Sequence, residues 1–484
     1  MINNENRQIY QEENFRAVAN NESTLDPQLE FASPEYQEAC SIIQTIEEQG
    51  FVAYLVGGCV RDLLLHRKVN DFDIVTSAKP EEIEAIFPNT KPVGKQFGII
   101  LLVGKTGSFE IATFRGEADY QDARRPQQVF WASAKEDAQR RDFTINGLFF
   151  HPQNGKIVDY VGGKEDIKNK IIRFIGDPQK RVQEDHLRIL RAIRLKNVLN
   201  FQYAPETKKA VKENAASIQT LSAERIRDEL NKILSSPFRA EGIKDLSELG
   251  VLPYILPEVE KMKEADQPPT YHAEGNVFEH TLLCLKKLPP DVSVEVAWAV
   301  LLHDVGKPAT RREIIHPKKG PRTVFYGHVE ESAKIAEQIC RRLKFSKKDK
   351  DEVVFLVREH LKHKDIPTMK VARQRQWAQH PLMPKLLQVW KADGEGSWLG
   401  KKGKIDLSLY QQAKELYEEE QKRPKPPKPL LNGNEIMEIL NISPGPKVGE
   451  ILQKLVDAQL EEEVKTKKDA EEFIKKMGAN QAPE

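Results

Sequence analysis

The hydrophobic period of this 484-residue chain changes near Gly176. Before that point, short apolar runs with the character of strands (FVAYLV, FDIVTS, FGIILLV, SFEIATF) are interleaved with helical stretches such as KPEEIEAIF, and glycine turns such as GKTG part them. After it, apolar residues recur at helical spacing, as in DHLRILRAIRL and SAERIRDELNKIL. The pattern predicts an α+β fold, a mixed sheet with helices followed by all-helical domains. At roughly 100–200 residues per domain the chain needs several cores. The expected divisions are an Asn/Glu-rich mobile extension over 1–33, a mixed head over 34–176, a helical neck over 177–255, a histidine-rich helical block over 256–422, and a tail over 423–484. The tail opens on RPKPPKP, a stiff segment that cannot be helix interior.

Lys+Arg is 74 and Asp+Glu is 73, so net charge gives no sign of nucleic-acid binding, and any basic surface must come from local clustering. The first residues lack the apolar core of a signal peptide, and no apolar run approaches the ~20 residues that span a membrane. The four cysteines, Cys40, Cys59, Cys284 and Cys340, are scattered without metal-type pairing and read as reduced thiols. A cytoplasmic protein is expected. Nothing in the sequence specifies an oligomeric state.

The stretch LVGGCVRDLLLHRKVNDFDI, from Leu55 to Ile74, carries the sharpest chemistry. Residues two apart on a strand share a face, so Asp71 and Asp73 are predicted to point the same way with Phe72 packing behind. Two carboxylates so placed repel and call for a cation, and Mg²⁺ held by carboxylates and substrate phosphates is the usual arrangement. Gly57 and Gly58 let backbone amides approach an anion, and the helix expected after them turns its N-terminus toward a phosphate. Arg61 adds a permanent planar charge. Alone, either D-x-D or G-G is more often a solvated edge or a turn. Together they read as a phosphate cradle facing a metal site.

This stretch resembles the signature of the class II tRNA nucleotidyltransferase and bacterial poly(A) polymerase family, within the polymerase-β-like nucleotidyltransferases. Further stretches follow in the family's order from about Tyr54 to Arg194. The resemblance implies that Glu110 in FEIATFR is the third catalytic carboxylate and that EADYQDARRP, Glu117 to Pro126, is a flexible loop. It implies that Arg141, Asp142 and Asn146 in RRDFTING sense the ribose. It also implies that RVQEDHLRILRAIR reads the base, with Asp185, Arg188, Arg191 and Arg194 binding nucleotide. His66 stands where the family usually has Gly, Gly147 where it has Ala, and Leu195 where Phe is common.

Read from spacing alone, Asp185 and Arg188 lie on one helix face and suit an ordinary ion pair. With the resemblance they become a reader. An acceptor beside a donor matches the Watson–Crick edges of cytosine and adenine, while guanine and uracil present the wrong polarity. The substrates implied are CTP and ATP, added to a tRNA 3′ end. Enzymes that add only the terminal A, and poly(A) polymerases, share these motifs. CC-only enzymes tend to lack the loop that DARRP supplies.

The histidine-rich block places His280, His303-Asp304, His328, His360 and Asp393 among helical patterns. One buried histidine is usually a satisfied core residue, but this series suits one or two divalent metals. It resembles the HD phosphohydrolase superfamily. The resemblance implies metal binding by His280, His303, Asp304 and Asp393, completion of a second metal position or contact with phosphate by His328 and His360, and phosphate neutralisation by Lys307. A transition metal such as nickel or manganese, and phosphatase or 2′,3′-cyclic phosphodiesterase activity, are expected. A rival of another class is an RNA-binding HD phosphohydrolase with an inactive polymerase site. In the tail, Lys447 and Lys454 are candidate RNA-phosphate contacts on what is otherwise a mixed-sign helical cap.

Overall fold

The computed structural model describes residues 33–120, 126–266, 275–317, 320–397, 406–423, 429–461 and 463–479. The expected N-terminal extension therefore lies outside the described residues, apart from Ser33. The chain forms two compact units that divide between Ile255 and Leu256.

The first unit opens with helix α1, Pro34–Glu48. Ser33 caps it by accepting the Tyr36 N–H at 3.2 Å, and Pro34 fits the first turn, where no amide partner is needed. Its stripe of Tyr36, Ala39, Ile42, Ile43 and Ile46 is buried, which is what fixes the helix, and Gly50 at φ +86 follows its end. The seven-stranded sheet runs in the order β3-β4-β5-β2-β1-β8-β9. Its strands are β1 (Ala53–Val56), β2 (Ile74–Thr76), β3 (Thr90–Lys91), β4 (Ile99–Val103), β5 (Ser108–Thr113), β8 (Leu148–His151) and β9 (Lys156–Asp159). Strands β2 and β5 are parallel, with Ile74 opposite Ile111, and the other pairings are antiparallel. A separate hairpin pairs β6 (Arg115–Tyr120) with β7 (Pro126–Trp131). The expected loop Glu117–Pro126 falls there, and residues 121–125, with the side chains around them, lie outside the described residues.

Helices Pro178–Glu184, Leu187–Leu199, Pro205–Glu213, Ala223–Leu234 and Arg239–Glu248 complete this unit. The helical expectation for this region is met except at Gln202–Tyr203, which pairs in parallel with Ile171–Ile172. At Gly242 a methyl group would meet Ile233 at 2.4 Å, so glycine is what lets helices Ala223–Leu234 and Arg239–Glu248 approach.

The second unit is built on helices Val277–Lys287, Val294–Leu302, His328–Arg342, Lys347–Arg358 and Met383–Gly396. It is not all helical. Arg312–His316 and Gly320–Val324 form an antiparallel hairpin, whose Ile-Ile and Thr-Val pairs favour strand over helix. Helices Gly433–Leu440, Pro446–Leu460 and Lys467–Ala479 share a small core of Leu431, Ile436, Ile451, Leu455 and Ile474.

Candidate active site and candidate metal centre

The polymerase-type site gathers at one end of β2 and β5. Strand β2 itself begins at Ile74, so Asp71 and Asp73 stand in the extended segment leading into it rather than on the strand proper. Backbone pairing reaches one residue further, where the Val56 N–H donates to the Asp73 carbonyl at 3.0 Å. The alternation is kept. Phe72 is buried and meets Tyr36 edge-on at 5.8 Å, while Asp71 is exposed and Asp73 half-buried. Because Ile74 faces Ile111 in parallel register, Asp73 and Glu110 are the adjoining positions at the same end. Gly57, at φ +78, sits against this end: a methyl group there would lie 3.5 Å from Arg141 Nη1 and 3.9 Å from Asp73 Oδ2.

Burial, with the charges of Glu110 and Asp71 added to it, pushes the Asp73 carboxyl up to about 6, against the pull of Arg141. An all-oxygen set whose members repel one another fits a hard divalent cation such as Mg²⁺.

From this end a chain of side chains runs inward. Arg61 donates to both Asp62 oxygens, at 2.9 and 2.8 Å, and to Asn146 Oδ1 at 2.7 Å. The Asn146 amide donates to Asp142 Oδ1 at 3.2 Å, and Arg191 donates to Asp142 Oδ2 at 2.7 Å. Burial opposes ionisation of Asp142, but Arg191 and the Asn146 amide outweigh it and hold the carboxyl below the ordinary range. Arg141 is fixed from behind by Asp137, whose buried carboxylate also takes Arg140. Arg194 donates to Glu229 at 2.6 Å. The structure thus brings Arg61, Asp142, Asn146 and Arg191 into one network. Asp62 belongs to it, while Asp137 holds Arg141 and Glu229 holds Arg194 beside it; none of the three was singled out in the sequence, although Asp62 is Arg61's own neighbour.

One expectation is corrected here. Asp185 and Arg188 do not share a helix, because the chain breaks at Asp185 (φ −150, ψ 107) between helices Pro178–Glu184 and Leu187–Leu199. The Asp185 carboxylate accepts the Leu187 N–H at 3.0 Å, a local turn that competes with helix. Nor does it pair with Arg188: Arg225 donates to it instead, while Arg188 donates to Glu184 at 2.5 Å and to the Arg181 carbonyl at 2.9 Å. Arg225 lies 40 residues away, and no spacing rule joins it to Asp185.

Both unusual glycine-class positions have a physical reading. His66 adopts φ +51, the left-handed region in which glycine is unstrained. At Gly147 a methyl group would lie 2.7 Å from Val161 and 3.2 Å from Ile175, so this chain has no room for alanine without a shift.

In the second unit, five side chains converge on Asp304: His280, Lys307 and His328 from helices, and His303 and His360 from the turns that follow Val294–Leu302 and Lys347–Arg358. Its Oδ2 lies 3.2 Å from His303 Nε2, 3.7 Å from His280 Nε2 and 2.6 Å from Lys307 Nζ. Its Oδ1 lies 3.5 Å from His328 Nε2 and 3.8 Å from His360 Nε2. Asp393 closes the first half, 3.2 Å from His280 and 3.7 Å from His303. His303, His328 and His360 each turn Nδ1 to a backbone carbonyl three residues earlier, at 2.7, 2.8 and 2.7 Å, which leaves Nε2 as the inward atom. The Nε2 of His360 is buried without a hydrogen-bond partner. Burial would lower His303, but Asp304 and Asp393 raise it to about 10, whereas burial and the His303 charge press His360 down to about 3. An orphaned imidazole nitrogen beside a shared carboxylate fits two divalent cations in adjoining positions, one toward His280, His303 and Asp393, the other toward His328 and His360.

Lys447 and Lys454 are both exposed on helix Pro446–Leu460. Among the described residues no helix is long and apolar enough to cross a membrane.

The class follows from comparison with known families. Residues 53–173 match the poly A polymerase head domain, 200–263 match the probable RNA and SrmB-binding site of polymerase A, and 276–425 match the HD domain. The chain thus carries a poly A polymerase head, the RNA-binding region that accompanies it and an HD domain in one polypeptide. Curated proteins similar to it include CCA-adding enzymes. That of Geobacillus stearothermophilus is 39% identical over 279 residues, 57% of this chain and 65% of the relative. That of Geobacillus sp. strain WCH70 is 46% identical over 221 residues, 46% of this chain and 54% of the relative. These matches span about half to two thirds of the relatives' length. Among solved structures, the Bacillus stearothermophilus CCA-adding enzyme in complex with CTP superposes with a TM-score of 0.68 at 27% identity, covering 93% of this chain and 99% of that one. The Thermotoga maritima CCA-adding enzyme complexed with tRNA shares the fold, with a TM-score of 0.55 at 20% identity over 93% of this chain and 97% of that one.

Proposed function

We propose that this protein adds CCA to the 3′ end of tRNA from CTP and ATP, in the cytoplasm. The observation that carries the reading is the convergence of Asp71, Asp73 and Glu110 beside Gly57 and Arg141, backed by the Arg61–Asn146–Asp142–Arg191 chain. In this reading Asp71, Asp73 and Glu110 hold Mg²⁺, which supplies charge stabilisation for displacement at phosphorus. Gly57 keeps side-chain atoms out of the space before Arg141 and Asp73, where a triphosphate fits. Arg61, held by Asp62 on two nitrogens, offers its charge with little rotamer freedom left to lose. Asp142 and Asn146 form the ribose side. Asp185 accepts from the exocyclic amine of cytosine or adenine and Arg188 donates to the ring acceptor, with Arg225 and Glu184 as their positioning partners. The test supplies each nucleotide separately to tRNA lacking CCA, tRNA lacking only the terminal A, and an unrelated RNA. CTP and ATP addition to the first substrate is expected. ATP addition to the second alone would make this an A-adding enzyme, and long A tails on the unrelated RNA a poly(A) polymerase.

A second activity is favoured by the His360 nitrogen left without a partner and the Asp304 carboxylate shared between two halves. We infer that the HD unit hydrolyses a terminal phosphate or a 2′,3′-cyclic phosphate, with Lys307 neutralising the phosphate. A dinuclear centre supplies a nucleophile from water near neutral pH. The Nδ1–H contacts to backbone carbonyls hold the imidazoles in place.

A further inference from the structure

We propose that Cys284 is a metal ligand of the HD centre, a sulfur donor beside His280, His303 and Asp393. The inference rests on the dinuclear reading above. Cys284 is fully buried one helical turn after His280 on helix Val277–Lys287. Its Sγ lies 3.4 Å from His280 Nε2, the inward nitrogen, and 3.9 Å from Nδ1. The ligand atoms of His280, Cys284, His303 and Asp393 all lie within 4.8 Å of one another.

The spacings have the size of ligand-to-ligand edges. A tetrahedral ion with bonds of about 2.0–2.1 Å to nitrogen and about 2.3 Å to sulfur separates N from N by about 3.3 Å and N from S by about 3.5 Å. Here His280 and His303 are 3.4 Å apart through Nε2, His280 and Asp393 are 3.2 Å apart, His303 and Asp393 3.7 Å, and Cys284 and His280 3.4 Å, and the shared Asp304 carboxylate, 3.2 Å from His303, adds a fifth donor to this half. The thiol is also held in place. A methyl group at Gly396, three residues beyond Asp393, would lie 2.4 Å from Cys284 Sγ, so Gly396 makes the room in which the sulfur sits. The sulfur lies 3.4 Å from the inward nitrogen of a metal-facing histidine, a donor's position as well as a packed one.

On binding, the S–H bond breaks, a metal–sulfur bond forms, and the proton leaves to solvent. Thiolate is a soft donor, so this half of the centre is biased toward zinc, cobalt or nickel, while the Asp304–His328–His360 half keeps only nitrogen and oxygen donors.

The test is cobalt(II) loading of the full chain, followed by absorption spectroscopy. Wild type should show an intense sulfur-to-cobalt band in the near ultraviolet together with visible ligand-field bands. Cys284→Ser should lose the first and keep the second. Cys340→Ser, a buried thiol elsewhere in the unit, should keep both. X-ray absorption of the zinc-loaded protein should add a scatterer at about 2.3 Å in wild type only. Visible bands without the ultraviolet band in wild type would overturn the thiolate ligand while leaving the metal centre standing. No bands of either kind, in protein shown by circular dichroism to be folded, would overturn both. Should Cys284→Ser fail to fold, the zinc-loaded wild type decides alone, because an all-nitrogen and oxygen shell there rules out the sulfur.

Discussion

The guanidinium of Arg225 holds the carboxylate of Asp185 through one nitrogen, 2.8 Å from Oδ2 and 3.1 Å from Oδ1. Both groups are about four-fifths buried, at 21% side-chain exposure each. If Asp185 accepts from the base, Arg225 sets the angle at which it does so. Asp185→Ala is expected to relax discrimination against UTP and GTP more than it weakens tRNA binding. Arg225→Met should raise misincorporation while leaving metal dependence unchanged, and Arg225→Lys should recover part of the selectivity. Competition between the four nucleotides is the measurement. Lower turnover with unchanged preference in both variants would mean that something else reads the base.

Replacing Asp71 or Asp73 by Ala should cut incorporation by roughly 10²–10³-fold or more, the scale of losing one electrostatic stabiliser of a transition state. Binding of tRNA should persist, as a gel-shift assay would report. Near-normal incorporation by either variant removes the metal assignment.

Asp73 also makes a stability prediction. Its folded carboxyl lies near 6, above its ordinary value of 3.8, so the folded state binds the proton more tightly than the unfolded state does. That contribution is fully present below about pH 4 and is lost as pH rises through about 6, by about 1–3 kcal/mol. Urea denaturation in EDTA should show the decline, and Asp73→Asn should flatten it. Adding Mg²⁺ at pH 8 should stabilise wild type more than the variant. Superimposable profiles for the two proteins would contradict the burial and repulsion at this site.

The two sites are expected to be separable. His303→Ala combined with Asp304→Ala should abolish hydrolysis of 2′,3′-cyclic phosphate or of a terminal phosphate, assayed with nickel or manganese. Nucleotide addition assayed with magnesium on the same preparation should survive. Loss of both activities in a folded variant would argue that the sites depend on each other.

Gly147→Ala should destabilise the protein by about 1 kcal/mol or more, since the new methyl group meets Val161 at 2.7 Å. Adding Val161→Ala should give part of this back. A melting temperature unchanged by Gly147→Ala would show that the neighbouring chain yields freely.

How much of this was legible beforehand depends on the range of each interaction. The link from Gly57 and Arg61 to Asp71 and Asp73 is written in local pattern: a strand, a glycine turn, a helix and a return strand. The histidine series was visible because its residue types are chemically distinctive, even though His280 and Asp393 are 113 residues apart. Arg225, Glu229 and Asp137 were invisible for the opposite reason. Charged residues on amphipathic helices are usually solvated, and nothing in AERIRDEL distinguishes a buried partner from a wet one. The helix break at Asp185 was hidden because the apolar spacing continues through it, while the side chain's bond to the Leu187 amide is a contact that spacing does not show. The hairpin over Arg312–Val324 is short and sits among helices, so its strand-favouring residues were outweighed by their surroundings.

The closure of the HD centre by Asp393 has a consequence for synthesis. A ribosome releases roughly 5–20 residues per second. With 113 residues between His280 and Asp393, the first imidazole precedes its closing carboxylate by on the order of ten seconds. During that interval the nascent chain carries His280, Cys284 and His303 without the helix that completes their pocket. The nucleotidyltransferase residues through Ile255 have all been made before any of them appears. The polypeptide is therefore born with one centre complete in sequence and the other still open to whichever cation arrives first.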